Sequence, residues 1–210
     1  MTEHSSRLKG IHLIINECDW SNSIEAKIED MIRGGIRVFQ FRFSKAFLLN
    51  LERIEIQKIL LKIKEANAIA LLNNHWQLVQ KYNFDGAHIG QSDGDPFIIK
   101  SFLKKKILGI SCYGHLGLAY SAKKTGCDYV SFGAYARSKT KENAKVLSNE
   151  QLEIILTFKE LPTALIGGIH SDNLTSNIAL NFDMIAISNG ILGAPDPKQA
   201  LQEVMNIIKK

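Results

Sequence analysis

Several short stretches of this 210-residue chain carry side chains suited to holding anions rather than to moving protons. In Phe39-Gln40-Phe41-Arg42-Phe43 polar and aromatic residues alternate. Extended backbone sends Gln40 and Arg42 to one face and the three phenylalanines to the other. A guanidinium on the inner face of a sheet needs an anion, and its fork fits phosphate oxygens. An internal salt bridge is the competing account. Further on, the apolar run Leu71-Leu72 ends in Asn73-Asn74-His75, two amides that suit either a ligand or a helix N-cap. In Gly90-Gln91-Ser92-Asp93-Gly94-Asp95-Pro96, Asp95 before Pro96 reads as a helix start. That leaves Asp93 as the better candidate for a hard cation such as Mg²⁺, with substrate phosphates completing the shell. The segment 133–141 gathers Arg137, Ser138, Lys139, Thr140 and Lys141, hydroxyls and cations fit for a phosphate or a departing diphosphate, or simply for a solvated loop. Gly167-Gly168 and Ser188 follow two later apolar runs, and glycine there lets backbone N–H groups approach an anion.

These groups need elements that bring them to one place. Strands are predicted at 12–16, 37–43, 69–73, 86–90, 107–112, 129–133, 164–168 and 184–188. All are short and mostly apolar, as strands covered on both faces should be. Amphipathic helical patterns lie between them, at 24–33, 48–66, 151–158 and 197–208. Right-handed crossovers then give parallel pairing. Eight such units close into an α/β fold, a single (β/α)₈ TIM barrel, where five or six would favour an open sheet. No linker or composition break divides the chain, so residues 1–210 read as one domain. Every group named above then falls at a strand's C-terminal end, the rim where these barrels do their chemistry.

Composition narrows the partners. With 45% apolar and 22% charged residues, disorder is excluded. Cys18, Cys112 and Cys127 form no CxxC pair, which argues for a reducing compartment without disulfides or zinc. The start MTEHSSRLKG has no apolar run behind its charges and no window reaches bilayer length, so the reading is a cytoplasmic protein without membrane contact. The net charge of +5 fits anionic metabolites. Nucleic acid is not expected, because no helix-turn-helix or basic-aromatic interleaving accompanies that charge.

Taken in order, Gln40-x-Arg42, apolar-Asn73-Asn74, Gly86-x-His88-Ile89-Gly90-Gln91-x-Asp93, Gly109-Ile110-Ser111-Cys112-Tyr113, Ser138-x-Thr140-Lys141 and Ile166-Gly167-Gly168-Ile169 resemble the thiamine phosphate synthase family. The resemblance spans roughly 11–208. It implies coupling of a hydroxymethylpyrimidine diphosphate with a thiazole phosphate, giving thiamine phosphate and pyrophosphate with Mg²⁺. By the same resemblance Gln40 and Ser111 would meet the pyrimidine. Arg42, Ser44, Lys45, Asn73 and Lys141 would meet the diphosphate. Asn74 and Asp93 would hold the metal. Ser138, Thr140, Gly168, Ile187 and Ser188 would cradle the thiazole phosphate. Arg42, Lys141 and Ser111 would be the catalytic group. A homodimer is compatible with the sequence.

The chain departs from that pattern in places. Asn74 stands where the family has a metal-binding aspartate, and an amide carries no charge. The family's lysine two residues after the arginine is Ser44 here, with Lys45 one position further; in extended chain that slip would reverse its face. Arg137 replaces a proline before the sixth loop's first hydroxyl. The reading is therefore an enzyme with a weakened diphosphate–metal half. A silent ligand-binding relative is the alternative, and less so a thiazole tautomerase, whose histidine position is Tyr113 here.

Overall fold

The computed structural model describes residues 4–137 and 145–209. Its strands are β1 (Gly10–Asn16), β2 (Val38–Arg42), β3 (Ile69–Asn73), β4 (Gly86–Ile89), β5 (Ile107–Ser111), β6 (Tyr129–Phe132), β7 (Thr163–Ile166) and β8 (Met184–Ile187). Each lies on a predicted segment, with ends shifted by no more than two residues. Neighbours in sequence pair in parallel, and β8 returns to β1, closing the barrel. The β1–β2 register sets Ile14 beside Gln40 and Asn16 beside Arg42, so polar residues of adjacent strands reach the same rim.

The helices begin with α1 (Ile24–Arg33), α2 (Lys45–Asn50), α3 (Arg53–Glu65), α4 (Val79–Tyr82) and α5 (Pro96–Leu103). They continue with α6 (Leu116–Lys124), α7 (Asn149–Leu156), α8 (Ser176–Ala179), α9 (Asn189–Leu192) and α10 (Pro197–Ile208). The α1 and α10 bounds match the periodicity, and Ile24, Ile28 and Met31 bury the apolar stripe of α1. Asp95 caps α5 by accepting from the Phe97 N–H, with Pro96 at its first position. The predicted helix 48–66 is a correction: it is two helices, α2 and α3, broken at extended Leu51 and Glu52. Leu51 still packs on the core, so the apolar spacing continues across a turn it does not register.

Two cores result. Phe39, Phe41, Leu13 and Ile15, fully buried, face the helices. Phe41 meets Phe84 and Phe43 edge-on, with ring centroids 5.5 and 5.7 Å apart. Truncating Phe41 to alanine would cost about 3–5 kcal/mol. Inside the barrel, Leu8, Val38, Ile69, Leu71, Tyr129 and Met184 form the plug. The Tyr129 ring lies across Gly109, where an added Cβ would come 2.1 Å from its Cζ; this close approach accounts for glycine in mid-strand.

The N-terminal end of the barrel is tied by carboxylates that precede alternate strands. Asp85 accepts from the Ala70 N–H at 2.8 Å, Asp128 from Leu108 at 2.9 Å and Asp183 from Thr163 at 2.8 Å. Asp128 also pairs with Lys100 at 2.7 Å, with its side chain 2% exposed. Among the described residues no helix is long and apolar enough to cross a membrane.

Candidate active site

The C-terminal ends of the strands surround a cavity of about 1060 Å³. That is the upper end of the range for small-molecule sites, with room for more than one small substrate. Asn16 enters it from β1, Gln40 and Arg42 from β2, and Asn73 and Asn74 from β3 and its loop. The rest of the rim supplies Asp93 after β4, Ser111 on β5, Gly168 after β7, and Ile187 and Ser188 from β8, which closes on β1.

Alternation makes the β2 contribution. Phe39, Phe41 and Phe43 are buried, so Gln40 and Arg42 turn inward. The half-buried Arg42 guanidinium has no ion-pair partner among the described residues. An arginine fork in a partly desolvated cavity is a ready anion site. Beside it, the Gln40 amide donates from Nε2 to Asn73 Oδ1 at 2.7 Å, and Asn73 Nδ2 donates to Asn74 Oδ1 at 2.7 Å. Asn74 sits at φ +64°, a left-handed conformation that asparagine tolerates better than most residues. Asp93 Oδ2 accepts from the Gly90 N–H at 2.6 Å, which folds the loop so that the carboxylate borders the cavity.

Across the rim, Gly168 adopts φ +63°. An added Cβ would stand 2.4 Å from the Arg137 carbonyl oxygen, so only glycine admits the chain leaving β6. That chain is anchored there by the Ala136 N–H on the Gly167 carbonyl at 2.9 Å. Asn16 Nδ2 donates to Ser188 Oγ at 2.6 Å. With its oxygen already accepting, the Ser188 hydroxyl hydrogen is left to donate elsewhere.

The cavity floor rests on a buried polar layer, of which His88 borders the cavity itself. His88 Nδ1 and the Tyr129 hydroxyl share a hydrogen bond at 2.8 Å, with the rings stacked at 5.4 Å. Burial raises the Tyr129 hydroxyl well above the usual phenol range, so it stays protonated. Burial pulls His12 down to about 4, opposed in part by the Gln40 amide, so its ring is neutral. Burial also pushes the Cys112 and Cys127 thiols up to about 12, which removes both as nucleophiles near neutral pH.

A family model described as thiamine monophosphate synthase matches residues 11–191. The chain belongs to that family. It is 32% identical over 203 residues to the thiamine-phosphate synthase of Thioalkalivibrio sulfidiphilus, covering 94% of each chain. It is 30% identical over 207 residues to that of a Janthinobacterium species, covering 98% of this chain and 99% of the relative. A thiamine phosphate pyrophosphorylase structure from Pyrococcus furiosus superposes with a TM-score of 0.79. It covers 97% of this chain and 96% of its own at 24% identity, a likeness of fold.

Within this thiamine monophosphate synthase barrel the structure gathers Gln40, Arg42, Asn73, Asn74, Asp93, Ser111, Gly168, Ile187 and Ser188 around one cavity. It does not bring Ser44 and Lys45 into that lining. The Ser44 hydroxyl instead caps α2 by accepting from the Phe47 N–H at 3.1 Å, and Lys45, the first residue of α2, is exposed. A capping bond to the backbone outcompetes a ligand role for a serine at a helix start. Ser138, Thr140 and Lys141 lie outside the described residues. Asn16, Lys145 and His170 border the cavity, yet no motif marked them. Asn16 had a usable signal: it ends the apolar run Leu13-Ile14-Ile15, just as Asn73 ends Leu71-Leu72.

Among the described residues no cluster of three or more histidines, cysteines or carboxylates could hold a metal. Asp93 alone still fits Mg²⁺, which needs one or two carboxylates and takes its other oxygens from water and phosphate. Its Oδ2 is engaged by the loop, whereas its Oδ1 makes no hydrogen bond among the described residues.

Proposed function

We propose that this barrel couples a hydroxymethylpyrimidine diphosphate with a thiazole phosphate, forming thiamine phosphate and pyrophosphate. It acts as a single catalytic unit in the cytoplasm on small phosphorylated substrates. The observation that carries the reading is the Arg42 guanidinium, without an ion-pair partner among the described residues, facing a glycine–serine cradle across one cavity. The bond between the pyrimidine's methylene carbon and the diphosphate oxygen breaks, and its electron pair leaves with the diphosphate. The thiazole nitrogen then supplies the pair for the new carbon–nitrogen bond. No strong base is needed, which agrees with a neutral His12 inside the barrel and inert thiols in the outer core.

The protein's work is therefore positioning and charge stabilisation. Arg42 balances charge developing on the leaving diphosphate, with Lys141 and Asn73 assigned beside it. Gln40 and Ser111 flank the pyrimidine. Gly168, Ile187, Ser188, Ser138 and Thr140 hold the thiazole phosphate, and Asn16 sets the Ser188 hydroxyl to donate. Asp93 would hold Mg²⁺, which when bound neutralises diphosphate charge. Purified protein given both substrates and Mg²⁺ should release one pyrophosphate per thiamine phosphate formed. Binding of a thiazole phosphate by calorimetry without any pyrophosphate release would overturn this reading in favour of a silent relative.

A further inference from the structure

Asn74 occupies the position at which the family resemblance implies a metal ligand, and the geometry around it assigns another task. This inference rests on the coupling reaction proposed above.

The side chains of Gln40, Asn73 and Asn74 form a chain of amides with a single direction. A primary amide has one accepting end and one donating end. Gln40 Nε2 donates to Asn73 Oδ1, so Asn73 has only its Nδ2 left to give, and gives it to Asn74 Oδ1. The chain is anchored low in the barrel. Gln40 is 3% exposed and sits above neutral, fully buried His12. Its Nε2 is committed to Asn73, which fixes the direction of the chain from its lower end. At the upper end, the Asn74 backbone is held by its own N–H on the His88 carbonyl and by the Trp76 N–H on its carbonyl, at 2.9 and 2.8 Å. Its side-chain oxygen accepts from Asn73 Nδ2 and so points back along the chain. Its Nδ2 makes no hydrogen bond among the described residues, while Asn74 is exposed and borders the cavity.

We propose that Asn74 is a hydrogen-bond donor to a diphosphate oxygen and not a ligand of the metal. At the cavity's edge an amide N–H repels a cation and attracts an oxyanion. Beside Arg42 and Asn73 it adds a third donor group, with no carboxylate at position 74 to offset them. Asp93 then remains the protein's metal-binding carboxylate, and diphosphate binding depends less on metal than it would with an aspartate at position 74.

Two binding measurements on the full chain test this without turnover. Calorimetry follows inorganic pyrophosphate in EDTA, and electron paramagnetic resonance follows Mn²⁺ without pyrophosphate. Asn74→Gly keeps a residue at ease with φ +64°, and Asn74→Asp restores the charge in another residue that tolerates that conformation. Circular dichroism melts confirm that both are folded. Asn74→Gly should weaken metal-free pyrophosphate binding about tenfold or more, the loss of one hydrogen bond to a charged group, and leave Mn²⁺ affinity unchanged. Asn74→Asp should weaken metal-free pyrophosphate further and tighten Mn²⁺ about tenfold. The proposal is overturned if Asn74→Gly weakens Mn²⁺ binding, or if pyrophosphate affinity in EDTA does not move. Either result leaves pyrophosphate release by the native chain untouched. Absence of that release would instead sink the coupling reaction itself.

Discussion

The two ends of the barrel treat charge in opposite ways. At the N-terminal end, Asp85, Asp128 and Asp183 each give an oxygen to a backbone N–H of the preceding strand, and Asp128 has Lys100 besides. At the C-terminal end, among the described residues, Arg42 has no ionic partner and Asn74 Nδ2 and Asp93 Oδ1 make no hydrogen bond. The same residue types serve stability where their bonds are complete and serve ligands where they are left open. Strand direction imposes the split, because loops after the strands converge on one rim and short turns before them on the other.

That contrast is broken most sharply at Arg42. Arg42→Met should lower kcat/KM by about 10²–10³-fold, as loss of one preorganised charge-stabilising group does, with a melting temperature close to the parent's. A large drop in stability without loss of turnover would reverse the assignment of the two ends. Asp128→Ala is the mirror case. Removing buried Asp128 leaves the Leu108 N–H without its acceptor and Lys100 with only the Lys106 carbonyl, so urea titration should record a loss of about 3 kcal/mol. Turnover per folded molecule should not change.

The layer between the ends makes a test by pH. His12 takes up a proton in the unfolded chain near 6.5 but in the folded barrel only near 4. Between these values the unfolded state binds more protons, so stability falls as pH falls from 6.5 to 4. The full effect is about 3 kcal/mol, at roughly 1.36 kcal/mol per unit. His12→Leu should flatten that part of the stability–pH curve relative to the parent, and an unchanged slope would show that the ring is not held neutral.

Smaller effects sharpen the picture of the rim. Asn16→Ala should raise KM for the thiazole phosphate several-fold, by about 1 kcal/mol for one orienting hydrogen bond, with kcat nearly constant. Lys45→Ala should leave the KM for the pyrimidine diphosphate within about twofold, the ordinary size of an exposed surface change. A tenfold rise would show that this lysine reaches the diphosphate after all.

Much of this was legible in the residues. The strands stood out because each is a short apolar run, and the count alone selected a closed barrel. The Asp95-Pro96 helix start was readable because capping is local chemistry. Inward-facing Gln40 and Arg42 followed from alternation with three phenylalanines. Other features were hidden because they depend on long-range contact. No local pattern sets the Tyr129 hydroxyl on His88, 41 residues away, or the Asn16 amide on Ser188, 172 away. The amide chain through Gln40, Asn73 and Asn74 was hidden too, since sequence gives an amide's presence but not which end it turns to a neighbour. The α2–α3 break escaped because an apolar period says nothing about backbone dihedrals where both sides remain buried.

Gly109 leaves the Tyr129 ring its place beside His88, and His88 borders the cavity. A methyl group at position 109 would collide with that ring and disturb the site through the His88 hydrogen bond, without touching anything bound there. The floor of this barrel thus depends on a residue whose contribution is the side chain it lacks.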